Sequence, residues 1–392
     1  MSDTLSATIL QVIPELETGG AERTTIEMAE AIISAGGTAI VVSNGGPMVA
    51  ELDALGAKHV EMPVHSKNPF VMWRNVDRLK KLIKLNNIDL VHARSRAPAW
   101  SALKAARACH LPFITTYHGA YRAKSTMKRR YNSIMARGDY VIANSEFTRN
   151  AIMEEFCPDP LKYPDRLLTI HRGADMRRFD PKEVDPARIE ALEQAWHGGD
   201  AVKILLPGRL TDWKGQRTLI EAAQILRVTR QALNLRIVLA GSAQGRSGYE
   251  AELQRLIKEA GVEHMVTIPG NCSDMPAAYC WADMVVSASL RPEAFGRIAI
   301  EAQAMGRPVI ATNHGGARET VRDGVTGFLV RPGDAKALAN AISHYVDLPT
   351  EEREAMGRMA RQHAMTDFST EKMTKSTLSV YKKALKEFAV RG

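Results

Sequence analysis

The chain has 392 residues, too many for one ordinary hydrophobic core, so two domains of about 150 to 200 residues with a cleft between them are expected. Its 45% hydrophobic and 24% charged residues, with 28 Gly and 18 Pro, exclude a disordered or fibrous chain, and no run of about 18 apolar residues is present to cross a membrane as a helix. The net charge of +8 is unevenly spread: from Lys67 to Arg149 there are 17 Lys and Arg against four acids, which points either to an anionic partner (a lipid surface, a phosphorylated glycan or a nucleic acid) or to solvated helix faces.

The N-terminal stretch MSDTLSATILQVIPELETGG lacks a basic segment and its apolar run is short. It reads as a first strand rather than a signal peptide, and a cytoplasmic location is expected. Apolar runs at 7–13, 38–43, 89–93, 112–118 and 140–145 are each bounded by Gly, Pro, Asn or Asp and followed by a helical pattern, which predicts a parallel sheet of βαβ units. Gly19 and Gly20 follow the first run and open a helix. Small residues there let a ligand approach the backbone, although without a full GxGxxG pattern the pair equally fits a tight turn. His118 ends the fourth run and Gly119 follows it; a lone histidine is more often a satisfied structural residue than a catalyst. Residues 126–137 predict a helix with Met127, Tyr131 and Ile134 near one face, in a segment that also carries Arg122, Lys124, Lys128, Arg129, Arg130 and Arg137. That surface fits an anionic membrane, or the charged outer face of an ordinary amphipathic helix.

A Pro-, Asp- and Gly-rich connection within 167–200 precedes a second series of strands, at 202–208, 235–241, 265–270, 283–289 and 308–312. The expected fold is therefore α/β, two facing Rossmann-like domains with parallel sheets, at 1–175 and 176–365. The remaining stretch, 366–392, has Phe368, Met373, Leu378, Tyr381, Leu385 and Phe388 close to helical spacing, and is expected to return to the first domain or else finish the second. Cys109, Cys157, Cys272 and Cys280 are scattered, with no CxxC and no Cys/His cluster, so they read as reduced thiols and no metal site is expected.

In open parallel sheets ligands lie beyond the C-terminal strand ends. Glu293 falls just past the strand 283–289, and Gly296 opens a helix whose pattern runs through Ile298, Ile300 and Ala304. The N–H groups and dipole at that helix start suit a diphosphate. Glu301 is one to two turns in, too far along to act as a cap. A carboxylate there can accept two hydrogen bonds from a vicinal diol, so a nucleotide ribose is a natural partner. Glu293, in the preceding loop, would face whatever hangs from the phosphates.

Glu293 and Glu301 stand in E-x7-E spacing, and four further stretches accompany them in order: TGGAERT (18–24), TTYHG (115–119), LLPGRLTDWKG (205–215) and ATNHGGARETVRDGVTGFLVRPGD (311–334). Over nearly its full length the chain resembles the GT4 family of retaining glycosyltransferases, which have the GT-B fold. The resemblance implies metal-independent transfer of a hexose-type sugar, without a cofactor, from a UDP- or GDP-linked donor to a cell-envelope glycan or lipid-linked acceptor. Peripheral contact with the inner face of the cytoplasmic membrane accompanies that expectation.

Arg209 and Lys214 fall to the donor phosphates by the same resemblance. The chemistry also asks for such residues, because a leaving diphosphate needs positive charge where negative charge develops; a surface ion pair is their alternative reading. Donor binding is further assigned to Gly19 and Gly20, to Asn271 and Cys272 near the base, and to Ala294, Phe295, Gly296 and Arg297, with backbone N–H groups of the last three on the distal phosphate. His118 is expected to orient the transferred sugar rather than act as base, and Glu293 to bind sugar hydroxyls in preference to attacking as a nucleophile. Arg297 departs from the aliphatic residue of many relatives and either adds a phosphate contact or faces solvent. Arg94, Arg96, Arg122, Lys124, Lys128, Arg129 and Arg130 are assigned to the acceptor or the membrane.

Three competitors share parts of this pattern. A NAD-dependent dehydrogenase needs GxGxxG with an acid about 20 positions later, which is missing. A GT-B-fold sugar-nucleotide epimerase is the nearer rival, distinguished by making an epimer instead of transferring a sugar. A basic nucleic-acid-binding protein would account for the charge, but the sequence contains no recognisable nucleic-acid module and no nucleic acid partner is expected.

Overall fold

The computed structural model describes residues 4–17, 19–120, 123, 125–156, 165–243, 245 and 247–390. The chain forms two compact units, Met1–Arg172 with Thr370–Gly392, and Gly173–Ser369.

The first unit runs β1 Thr8–Val12, α1 Gly20–Ser34, β2 Thr38–Ser43, α2 Val49–Ala54, β3 Lys58–Glu61, α3 Pro69–Leu85, β4 Leu90–Ala93, α4 Arg96–Ala108, β5 Phe113–Tyr117, α5 Thr126–Asn132, β6 Tyr140–Ala143, α6 Glu146–Phe156 and β7 Leu167–Thr169. Its strands form a seven-stranded sheet in the order β3-β2-β1-β4-β5-β6-β7, and every described pairing is parallel, with Ile9 opposite both Ala39 and Leu90. Helices cover both faces, so β4, β5 and β6 are buried along their whole length and read as largely apolar runs. Buried polar side chains inside the sheet include Gln11 of β1, His92 of β4 and Thr115 of β5, each 0% exposed. The helix Thr370–Ala389 belongs to this unit: Val380, Tyr381 and Ala384 pack into the cluster of Ile9, Ile26, Met28 and Ile142.

Two expectations for this unit need correction. Residues 126–137 are not one helix, because α5 stops at Asn132 and a 3-10 turn, Ser133–Arg137, follows. The tighter turn breaks the 3.6-residue period, so Met127 is 84% exposed while Ile134 is buried. Arg94, assigned to an acceptor or membrane surface, is 2% exposed, and a lipid surface cannot reach it.

The second unit runs α7 Pro186–Trp196, β8 Val202–Pro207, α8 Gln216–Thr229, β9 Leu235–Ala240, α9 Ser247–Glu259, β10 Val266–Gly270, α10 Met275–Trp281, β11 Met284–Ser287, α11 Arg297–Ala304, β12 Val309–Thr312, α12 Ala317–Thr320, β13 Gly327–Val330, α13 Ala335–Asp347 and α14 Thr350–Asp367. The strand order is β10-β9-β8-β11-β12-β13, with Met284 opposite Ile204 in a parallel pair. One apolar cluster, including Leu219, Leu239, Leu253 and Ile342, covers one face. The other holds Leu205, Tyr279, Phe295 and Ile300. Both sheets reverse their strand order at the first strand, between β1 and β4 and between β8 and β11. Chain crossings diverge at such a point and leave a crevice beyond the strand ends.

Candidate active site

In the second unit the loops that leave β8 and β11 meet. Leu290 N–H donates to Trp213 O at 2.7 Å, joining the two loops directly. Gly215 adopts φ +84°, and a Cβ there would lie 2.0 Å from Ala288 O, so only glycine allows this approach. The loop contact brings Lys214 to Glu293: Lys214 Nζ donates to Glu293 Oε1 at 2.8 Å, with the side chains 11% and 21% exposed. The Ser289 hydroxyl donates to the same carboxylate oxygen, and Lys214 Nζ also sits 4.7 Å from the Trp213 ring centroid.

The Gly-Gly step after the second carboxylate has a packing reason. A Cβ on Gly315 would fall 2.4 Å from Glu293 O, and one on Gly316 would fall 2.5 Å from Phe295 Cα. Gly316 N–H donates to Glu293 O at 2.9 Å. The pair thus seats the Glu293–Phe295 backbone against the loop after β12. His314 Nε2 and Thr312 Oγ1 hold Ser289 O from below, at 2.8 and 2.9 Å.

Gly296, at φ +83°, is the N-cap of α11 and contributes no side-chain hydrogen bond to it, so the first N–H groups of α11 are left to other acceptors. Phe295 anchors the loop through its 3% exposed ring, which packs edge-on to Phe368 at 5.7 Å. Glu301, one turn into α11, is 14% exposed. Its Oε2 accepts from the Tyr279 hydroxyl at 3.1 Å and its Oε1 from Arg297 Nε at 3.2 Å. Burial and the adjoining carboxylate push the Tyr279 phenol well above its ordinary range, so it remains a donor. Arg297 therefore neither faces open solvent nor stands apart from the carboxylates.

Arg209 is exposed, next to the strand end, while its carbonyl accepts from Gln216 Nε2 at 3.0 Å. Asn271 and Cys272 follow β10. The Cys272 thiol donates to Asp274 O at 3.5 Å, and burial pushes its pKa up. A roomier cavity of about 530 Å³ lies at the other, N-terminal end of β11 and β12, lined by Asp283, Arg307, Pro308, Tyr345, Arg353 and Arg361 among others. None of the motif residues touches it. Open parallel sheets bind ligands at the opposite edge, so that cavity is not the candidate active site.

In the first unit, Gly19 and Gly20 lie at the start of α1, with Thr18 outside the described residues. His118 follows β5, and Arg172 Nη2 donates to its Nδ1 at 2.6 Å. Burial, then the neighbouring charges of Arg172 and Arg94, hold the His118 pKa well below the usual imidazole range. Arg94 Nε donates to Gln11 Oε1 at 2.7 Å, and His92 bridges Tyr381 and Thr116. Arg96 donates to Asn132 Oδ1 at 2.8 Å. Lys128, Arg129 and Arg130 are exposed, Arg129 reaching Glu155 O, whereas Arg122 and Lys124 lie outside the described residues. Ser289, Tyr279, His314, Asn144 and Arg172 were not singled out in the sequence. Ser289, four positions before Glu293, and His314, directly before Gly315 and Gly316, carry a local signal.

Two doubly wound parallel sheets, with paired charges at the switch point of the second, are the architecture of the GT-B fold. The family described as Glycosyl transferases group 1 matches residues 189–363, and Glycosyltransferase Family 4 matches residues 18–178. The chain belongs to the GT4 glycosyltransferases and is a transferase enzyme. A glycosyltransferase from Rickettsia africae ESF-5 is 38% identical, with a TM-score of 0.89 over 97% of this chain and 99% of that one. The D-inositol 3-phosphate glycosyltransferase of Salinispora arenicola is 30% identical over 76% of this chain and 69% of its own length. That of Paenarthrobacter aurescens is 27% identical over 88% and 85%. The Anabaena protein HepE, solved in complex with UDP-glucose, shares the fold at a TM-score of 0.80 and 24% identity, over 96% of this chain and 100% of that one. Among the described residues no helix is long and apolar enough to cross a membrane, and no group of three or more His, Cys, Asp or Glu is arranged to hold a metal.

Proposed function

We propose that this chain moves a hexose-type sugar, with retention and without a metal ion, from a UDP- or GDP-linked donor to a lipid-linked or cell-envelope glycan acceptor. The observation that carries the donor assignment is the set of charges at the β8–β11 switch point: Lys214 against Glu293, the open first turn of α11, and Glu301 one turn further on. Lys214, Arg209 and the helix start supply positive charge to a departing diphosphate, the task a divalent ion performs elsewhere. Glu301 takes the ribose diol and Glu293 the sugar. A UDP-linked donor is favoured by HepE, which was solved with UDP and with UDP-glucose.

Exposed apolar side chains beside basic ones support the lipid-linked acceptor. Phe70 and Trp73 of α3 are each 61% exposed, next to Lys67 and Arg74, and Met127 stands beside Lys128, Arg129 and Arg130. Such a surface suits peripheral residence on anionic lipid at the inner face of the cytoplasmic membrane. A small phosphorylated polyol is the second reading for the acceptor, favoured by the name of the Salinispora and Paenarthrobacter relatives.

Thermal stabilisation by a panel of nucleotide sugars, followed by transfer assays on lipid-linked glycans and inositol phosphates, tests both halves. Glu301→Ala should weaken donor binding at least tenfold, about 1.4 kcal/mol. Near-normal affinity in that variant removes the ribose assignment, and conversion of the donor to an epimer without transfer removes the transferase reading of the substrate.

A further inference from the structure

Two hydrogen-bond chains in the first unit begin at arginines and run to one small cavity. An arginine side chain donates and never accepts. Because Arg172 Nη2 lies 2.6 Å from His118 Nδ1, Nδ1 is the acceptor and the ring proton of neutral His118 resides on Nε2. Arg94 likewise hydrogen-bonds to Tyr381, whose phenol, its pKa pushed up to about 12 by burial, keeps its proton. The phenol proton is directed at His92 Nδ1, 2.6 Å away, and His92 Nε2–H donates to Thr116 Oγ1 at 2.7 Å. Thr116 has then accepted, and its own proton is left to donate elsewhere.

Both chains end in donors, and His118 and Thr116 line the same cavity of about 20 Å³ together with Arg94, Arg172 and Asn144. That volume suffices for one water-sized oxygen, whose threshold is about 10–15 Å³. Asn144 is 1% exposed, and neither of its amide atoms has a hydrogen-bond partner among the described residues; nor has buried His118 Nε2. Native proteins rarely leave buried polar atoms so. The lining offers donors from His118, Thr116 and Asn144 Nδ2, and an acceptor in Asn144 Oδ1. An oxygen that accepts from two of these donors and donates to Asn144 Oδ1 can be held by this set. A carboxylate has nothing to give Asn144 Oδ1, and an ammonium group would meet N–H groups head on.

We propose that Arg172 fixes His118 as the Nε2–H tautomer, so that His118, Thr116 and Asn144 form a subsite for one hydroxyl-type oxygen, in which His118 donates and takes up no proton. The oxygen is that of a water or of a sugar hydroxyl; the second source rests on the transferase reading, the first does not. Arg172 is a positioning residue acting through His118. The charged and titratable groups around His118 are Arg172, Arg94 and His92, and Arg94 in turn interacts with Tyr381 of the C-terminal helix and Glu27 of α1.

Nitrogen-15 NMR of the full chain labelled at histidine tests this, with the His118 signals assigned by their loss in His118→Gln. The expected result is an unprotonated Nδ1 and a protonated Nε2 from pH 7.5 to 5.5. Arg172→Met should mix the tautomers or raise the titration midpoint by about one pH unit towards the ordinary value near 6.5, and Arg172→Lys, also an obligate donor, should keep the single tautomer. Protonation on Nδ1 in the parent protein, a midpoint near 6.5 there, or an unchanged tautomer in Arg172→Met overturns the proposal, and the first two are read on the parent protein once His118→Gln has assigned the signals. A crystal structure should show one oxygen between His118 Nε2 and Asn144; an empty cavity overturns the subsite. A shift of the Nε2–H signal with a nucleotide sugar but not with the bare nucleotide assigns a sugar hydroxyl, and no shift with either assigns water. Donor binding measured in the same samples separates failure of the tautomer from failure of the transferase reading.

Discussion

Replacing Lys214 with Met removes the cation that holds Glu293 while keeping a side chain of similar length. A fully buried ion pair costs about 3–5 kcal/mol when one partner is removed, and an exposed pair less than about 1 kcal/mol. With side chains 11% and 21% exposed, and the Ser289 hydroxyl still donating to Glu293, the structure places Lys214→Met between these limits, at about 1–3 kcal/mol. For a unit of this size that is roughly 2–12 °C in melting temperature. Glu293→Gln in the same chain removes the uncompensated charge and should recover at least half of the loss. Donor affinity follows a different logic. If Lys214 contacts the diphosphate, its charge-assisted hydrogen bond is worth about 1.5–3 kcal/mol, so Lys214→Met should weaken binding roughly 10- to 150-fold, and Glu293→Gln should not restore it. Calorimetric unfolding and isothermal titration of the four proteins of this double-mutant cycle measure both quantities. Strictly additive stabilities would refute the pairing energetics, and unchanged donor affinity in Lys214→Met would refute the phosphate role.

Transfer activity should persist in EDTA, because positive charge at the leaving group is assigned to Arg209, Lys214 and the start of α11; an absolute, reversible requirement for Mg²⁺ or Mn²⁺ contradicts this assignment. Combined Lys128→Glu, Arg129→Glu and Arg130→Glu substitutions should abolish binding to anionic liposomes, each basic residue near the surface contributing about 1 kcal/mol, and leave donor affinity intact; unaltered liposome binding defeats the membrane role of α5. The stability of the first unit should fall as the pH drops below about 6.5, since buried His92 and partly buried His118 are held neutral when folded and protonate when unfolded. Each contributes stability that is complete above that pH and declines by about 1 kcal/mol by pH 5.5. His92→Gln should flatten the decline in a denaturation series, and an equal slope in the variant would show that His92 does not titrate on unfolding.

The strands most visible in the sequence were those buried on both faces. Val91, Ile114 and Val285 belong to largely apolar runs because helices cover each side of their sheets. β3 and β7 were not expected as strands for other reasons: Lys58–Glu61 has three polar side chains in four residues along an edge, and Leu167–Thr169 has only three residues. Glu293, Glu301 and Lys214 were legible because their neighbours are constrained as well, glycines where backbones meet and a helix start of fixed length. Arg172, Asn144 and Tyr279 were not. Their meaning comes from partners 54 residues away for Arg172 and 22 for Tyr279, and no local period or spacing records such a pairing. Arg94 misled for a related reason: a charged residue in a basic stretch reads as surface unless one knows that Gln11 and Tyr381 stand ready to receive it.

The proposed donor site is built of charges that already answer one another, and this bears on what it would select. Lys214 is held by Glu293 and Arg297 by Glu301. A ligand that only supplies negative charge draws Lys214 away and leaves the Glu293 carboxylate, 21% exposed, without its cation, so part of the new attraction is offset by the loss of the old one. A ligand that only supplies hydroxyls must compete with Arg297 for Glu301 and gains little beyond what is given up. On the proposed assignment a nucleotide sugar would bring both together: phosphate oxygens for Lys214, and hydroxyls that can donate to the two carboxylates in place of the cations. Each displaced group would then find a new partner, and the gains of the several contacts would not offset one another. Pre-paired charges of this kind discriminate against fragments by arithmetic rather than by shape, since a fragment must break an ion pair that only the whole donor can replace.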